Sequence, residues 1–214
     1  MKKAFLFAAA IAAIATACNT TPEAAEATTA EKQEAAAAAG ASFAIDTTAS
    51  AVEWLGSKPV GQHNGTFKIT NGNFSIADGN IAAGNFTIDI NSLNNHDLKA
   101  GEGKEKLEGH LKSADFFDAA KYPTAKFEIT GVEPIANDSS ATHKISGNLT
   151  LKDSTKNVSF PAKVAIADNK VSATASFNID RTQWGMFYGN DKSLGDKMIR
   201  PEVNIKLNIN ANKL

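Results

Sequence analysis

Residues 171–180 read VSATASFNID. Val171, Ala173, Ala175, Phe177 and Ile179 alternate strictly with Ser172, Thr174, Ser176, Asn178 and Asp180. Successive strand side chains point to opposite faces, so this period of two makes one apolar face and one polar face. A helix would instead need apolar residues three and four apart. The pattern spreads in both directions. Downstream, Val203, Ile205, Leu207 and Ile209 alternate with Asn204, Lys206, Asn208 and Asn210. Upstream come Ile145, Gly147, Leu149 and Leu151, then Phe127 and Ile129, then Phe86, Ile88 and Ile90, then Phe67 and Ile69, each flanked by polar residues. Turn chemistry falls between the runs at Asn71-Gly72, Asp78-Gly79-Asn80, Asn137 to Ser140 and Asp168-Asn169. About eight closely spaced strands of this kind predict an all-β, antiparallel barrel or sandwich.

Residues 101–117, GEGKEKLEGHLKSADFF, break the period. Leu107 and Leu111 stand four apart, which predicts a short amphipathic helix starting after Gly103 and ending near Ala114. Its leucines are expected over the sheet or across a barrel mouth.

A membrane-spanning barrel alternates too, with its apolar face toward lipid. Lys, Glu and Asp within the polar faces and the lack of aromatic girdles argue for an apolar face turned inward. Ala162, Ala173 and Ala175 share that face with Phe160, Val164 and Phe177. Interiors pack densely, so small inward residues point to a hollow lumen, or else to small and large side chains that interdigitate.

The chain begins with Lys2 and Lys3, an apolar run from Ala4 to Ile14, and Ala15-Thr16-Ala17 just before Cys18. This is the layout of a secretory signal over residues 1–17, too short to span a bilayer as a stable helix. Cys18 is the single cysteine of 214 residues, so no internal disulfide is available. Its place after three small residues resembles a bacterial lipobox, which implies a lipid on Cys18 and a membrane anchor in the cell envelope, periplasmic or surface-exposed. The Leu common three residues before the cysteine is Ala15 here, and an ordinary signal with an incidental cysteine is the alternative. Residues 18–42 are rich in Ala, Thr and Glu with no large apolar residue before Phe43. They read as a tether, with residues 31–39 able to form a transient helix. The folded domain is placed at 43–214.

The formal net charge is −1, so no basic surface invites nucleic acid. His63, His96, His110 and His143 lack metal-ligand spacing, no G-x-S-x-G element occurs, and the one thiol belongs to the anchor. The residues suggest neither a cofactor nor an enzyme.

Several stretches together resemble one family. They are Val52-Glu53-Trp54 with residues 61–67 (GQHNGTF), residues 88–93 (IDINSL), residues 110–118 (HLKSADFFD), residues 122–127 (YPTAKF), residues 145–152 (ISGNLTLK) and residues 177–185 (FNIDRTQWG). In this order and spacing they resemble the YceI-like family of secreted bacterial proteins, with Asp153 standing where the family often has Gly. The resemblance implies a lipocalin-like barrel that binds polyisoprenoid chains, isoprenoid quinones among them, without established catalysis. The expected ligand-lining residues are Trp54, Phe67, Phe86, Ile88, Phe127, Leu149, Phe160, Ala173, Ala175, Phe177 and Trp184. Trp54 and Trp184 are either stacking surfaces for a prenyl chain or plain core. Arg181, two residues beyond inward Ile179, is either a lumen cation for a phosphorylated head group or a partner of Asp180 or Asp191. His63 is either a donor to a quinone carbonyl or a solvated loop residue. A homodimer is left open.

Overall fold

The computed structural model describes residues 24–214; Cys18 and the signal expected over residues 1–17 lie outside that range. The body is an antiparallel barrel of eight strand positions. The first position is broken into β3 (Ala41–Ile45) and β4 (Ala51–Ser57). It is followed by β5 (Gln62–Ala77), β6 (Asn80–Asn95), β7 (Thr124–Pro134), β8 (His143–Leu151), β9 (Ser154–Ala167), β10 (Lys170–Asp180) and β11 (Glu202–Lys213). Neighbours in sequence pair in turn, and β11 closes the ring onto β3 and β4. The inward phase is the apolar one: Phe67, Ile69, Phe86, Ile88, Phe127, Ile129, Phe160, Phe177 and Ile209 are all buried.

Two poles follow from the strand directions. The β4–β5 hairpin, the β6–β7 connection, the β8–β9 turn and residues 181–201 meet at one pole, called here the mouth. The turns at 78–79 and 168–169 meet at the other. Helix α1 (Lys104–Lys112) starts after Gly103, as its leucine spacing predicts, and lies against β6 at the mouth.

Two sequence expectations are corrected. Asn71-Gly72 is no turn; it lies inside β5, just past a register shift in the pairing with β6. A Cβ at position 72 would come within 2.5 Å of the Asn85 carbonyl oxygen, so glycine serves close strand approach there.

The segment before Phe43 is neither helical nor held away from the barrel. β1 (Ala25–Glu26) pairs parallel with β10, and β2 (Thr28–Glu31) pairs antiparallel with β9. β9 and β10 themselves pair only near their turn, Lys163–Ala167 against Lys170–Thr174. Residues 25–31 therefore form a strap wedged into the seam where these strands part. The strap runs on across the outer wall, where the Ala36 N–H donates to the Ile129 carbonyl. Asn148 exchanges two hydrogen bonds with the Gln33 main chain, at 3.0 and 2.7 Å. Asn178 donates to Glu26 Oε1 at 2.7 Å. Asn148, Asn157 and Asn178 lie on the outward phase of their strands yet are buried.

Candidate functional site

The inward side chains do not fill the mouth half of the barrel. A cavity of about 150 Å³ lies there, walled by Val52, Trp54, Phe67, Phe86, Ile88, Leu93, Ala125, Phe127, Leu149, Phe160, Phe177 and Leu207, among others. Its roof is supplied by Leu111 of α1, by Phe116 and Phe117 after it, and by Met186 and Ile199. Phe117 meets Phe67 edge-on at 5.4 Å between ring centroids. The surface these side chains turn to the space is apolar, so it can exclude water and grip hydrocarbon.

A second cavity of about 30 Å³ continues toward the other pole. Phe86, Phe127 and Phe160 line both spaces and form a partition between them. The Phe160 ring stacks on Phe177 at 3.9 Å and leans on Phe127 at 5.9 Å. Phe127 in turn lies over Gly147, where a Cβ would come within 2.3 Å of its ring. Glycine at 147 leaves room for the tip of that ring beside β8.

The expected lining residues fare unevenly. Trp54, Phe67, Phe86, Ile88, Phe127, Leu149, Phe160 and Phe177 all border the mouth cavity. Ala173 and Ala175 do not. They border the smaller cavity with Ala162, facing Phe74, Phe127, Phe160 and Ile145. Large side chains take up the room the alanines leave, so interdigitation prevails in that half and the larger space lies elsewhere. Trp184 is buried core, outside the cavity wall; its indole N–H donates to the Leu149 carbonyl at 3.0 Å. The indole N–H of Trp54 is buried without an acceptor among the described residues.

His63 is not in the lumen. It sits on β5 with Nδ1 2.7 Å from Asp97 Oδ2, its side chain about a third exposed. Burial raises the Asp97 pKa, but the Asn64 N–H and the His63 and Asn95 side chains together hold it below the usual carboxylate value.

Arg181 is 3% exposed and joins the wall at the mouth, but it is not a free cation. Nε donates to the Arg200 carbonyl at 3.2 Å, and Nη2 donates to those of Tyr188 and Ile199 at 2.9 and 3.1 Å. Nη1 donates to the Met186 carbonyl. No carboxylate forms a salt bridge with it among the described residues, so the expected pairing with Asp180 or Asp191 is absent. Burial pulls its pKa below the usual arginine value, with Asp180 and Glu202 pulling the other way. The guanidinium pins residues 186–200 over the lumen and stands 5.6 Å from the Phe116 ring. Strand phase placed the residue; it gave no sign that a loop would supply four carbonyls.

With this geometry in place, comparison with known proteins decides the family. A model of the YceI-like domain matches residues 43–211. The chain belongs to the YceI-like family. Among curated relatives, the Protein YceI of Escherichia coli O17:K52:H18 is 38% identical over 100 residues, covering 47% of this chain and 48% of that protein. A UPF0312 protein of Azotobacter vinelandii is 48% identical over 54 residues, 25% of this chain and 27% of its own length. The chain thus spans about half or less of the length of these curated relatives. The crystal structure of Burkholderia cenocepacia BcnA superposes with a TM-score of 0.62 at 22% identity, over 78% of this chain and 98% of that one. A polyisoprenoid binding domain from Saccharophagus degradans, implicated in plant cell wall breakdown, superposes with a TM-score of 0.61 at 17% identity, over 80% and 98%. These likenesses establish the YceI-like barrel.

Proposed function

We propose that this YceI-like barrel binds an isoprenoid lipid, a polyprenyl or quinone type, with the prenyl end in the mouth cavity, and that it does so as a carrier at the bacterial envelope rather than as an enzyme. The observation that carries this reading is the apolar-walled space of about 150 Å³ at the capped end of the barrel. The binding named for the Saccharophagus degradans domain supports the ligand class. The lipobox-like run ending at Cys18 supports a lipid anchor as the means of holding the carrier at a membrane.

Size constrains the mode of binding. A cavity near 150 Å³ takes a benzene-sized group, whereas sites for drug-sized ligands run to several hundred Å³. A ring or short prenyl terminus fits the mouth cavity directly. A longer chain reaches the second cavity only when the Phe127 and Phe160 rings swing aside. The packed lower half favours a rival reading, a filled structural barrel. Native mass spectrometry of protein purified from its own host, followed by lipid extraction, separates the two. A released prenyl mass is expected. Protein that carries no prenyl mass and takes up no added prenyl quinone overturns the proposal.

A further inference from the structure

Five large apolar side chains among the described residues are strongly exposed, and four of them stand at the mouth. Val60 is 71% exposed at the tip of the β4–β5 hairpin; Phe187, Tyr188 and Leu194 are 60%, 47% and 43% exposed in residues 181–201. The fifth is the terminal Leu214 at the opposite pole. The two loops adjoin, because the Arg200 N–H donates to the Ser57 carbonyl at 2.9 Å. The Ile199 N–H donates to the Gly189 carbonyl at 2.7 Å, so the longer loop doubles back and presents Phe187 and Tyr188 at a bend. Scattered exposed apolar residues are ordinary, but a cluster on adjoining loops at one pole marks a contact surface.

The charges on these loops narrow the partner. These two loops carry Lys58, Lys192, Lys197 and Arg200 against Asp191 and Asp196. None of the four cations is in a salt bridge with a described residue. Apolar tips among unpaired cations match a bilayer carrying anionic head groups, whose phosphates meet the lysines while the tips enter the acyl boundary.

The same loop supplies Arg181, Met186 and Ile199 to the cavity wall, so the patch and the cavity share one pole. We infer that the mouth pole docks on an anionic lipid surface through Val60, Phe187, Tyr188 and Leu194, bringing the cavity against the membrane. The purpose assigned to this contact rests on the lipid-carrier reading: a prenyl chain then passes between bilayer and barrel without being exposed to water. The contact itself does not depend on that reading.

The test uses the full chain with Cys18→Ser, so that a single introduced thiol takes an environment-sensitive fluorophore. Phe187→Cys places the label at the mouth, and Asp168→Cys places it at the opposite pole. The probes are vesicles of mixed phosphatidylcholine and phosphatidylglycerol, or of phosphatidylcholine alone, with no isoprenoid present. The labels report which pole touches lipid, whatever holds the chain to the vesicle. The mouth label is expected to shift to the blue and to be quenched by a lipid-borne quencher, while the distal label is unchanged. Lys192→Glu with Lys197→Glu should weaken that response about tenfold or more on anionic vesicles. Val60→Asp with Leu194→Asp should abolish it without lowering the melting temperature, since both side chains are exposed. Equal quenching at the two poles, or no quenching at the mouth in vesicle-bound protein, overturns the inference. Docking by a chain that takes up no prenyl probe would refute the carrier reading alone. Prenyl uptake from micelles without docking would refute the docking alone.

Discussion

The Phe160→Ala substitution probes how the barrel divides its interior. Phe160 is buried, stacks on Phe177 at 3.9 Å, leans on Phe127, and borders both cavities. Deleting the ring joins the spaces of about 150 and 30 Å³ and adds the volume of the ring itself. Buried Phe→Ala substitutions cost about 3–5 kcal/mol, the lost transfer energy plus the new cavity. The variant should therefore lose about that much stability in urea unfolding, with the slope unchanged. It should also gain in ligand reach. A buried methylene contributes about 0.8 kcal/mol, so one further five-carbon isoprene unit adds at most about 4 kcal/mol. Even a third of that is about tenfold in affinity. The assay is a series of prenyl quinones of increasing chain length, titrated against both proteins. Wild type should level off after the first one or two units, and the variant should keep gaining for at least one more. Identical chain-length profiles would mean that Phe160 divides nothing, and a stability loss under 1 kcal/mol would mean its ring is not packed as described.

Three further outcomes are expected. Arg181→Met strands up to four carbonyls that the guanidinium now serves; at about 1–3 kcal/mol per buried unsatisfied group, it should destabilise by about 3 kcal/mol or more and weaken phosphorylated and neutral ligands alike. A selective loss for phosphorylated ligands at unchanged melting temperature would instead make Arg181 a head-group contact. Asn148→Ala removes both bonds to the Gln33 main chain, so hydrogen exchange in residues 25–36 should quicken about tenfold or more while the barrel strands keep their protection; uniform quickening would show the strap and barrel to be one cooperative unit. Cys18→Ser should turn a protein released from membranes only by detergent into one released by a salt wash, and an unchanged need for detergent would rule out the lipid anchor.

The barrel was legible in the sequence because its core is periodic. Phe86 and Ile88 on β6, or Phe177 and Ile179 on β10, announce both strand and inward face without any partner in view. The helix was legible from Gly103 and the Leu107–Leu111 spacing. Asn71-Gly72 misled because the same dipeptide suits a turn or a strand that must approach its neighbour closely, and only the facing Asn85 carbonyl decides between them. The strap was invisible for a different reason. Residues 24–42 carry no large apolar side chain, and what holds them lies on other elements: the parted edges of β9 and β10, and outward asparagines that meet main-chain groups or Glu26. Ala173 and Ala175 showed room on the apolar face, but which rings enter that room is a property of the closed barrel. For Arg181 the salt bridge offered with Asp180 or Asp191 is absent among the described residues, and the four carbonyls that take its donors carry no mark in a sequence.

The central claim is that a prenyl group lies inside the mouth cavity. Isotope-filtered NMR measures this most directly, with an unlabelled short-chain prenyl quinone added to labelled protein. Prenyl methyl protons should show contacts to Phe67, Ile88, Phe117 and Leu207, which line that space together. Contacts confined to the exposed loops, or none at ligand concentrations that saturate the wild-type titration, would contradict it.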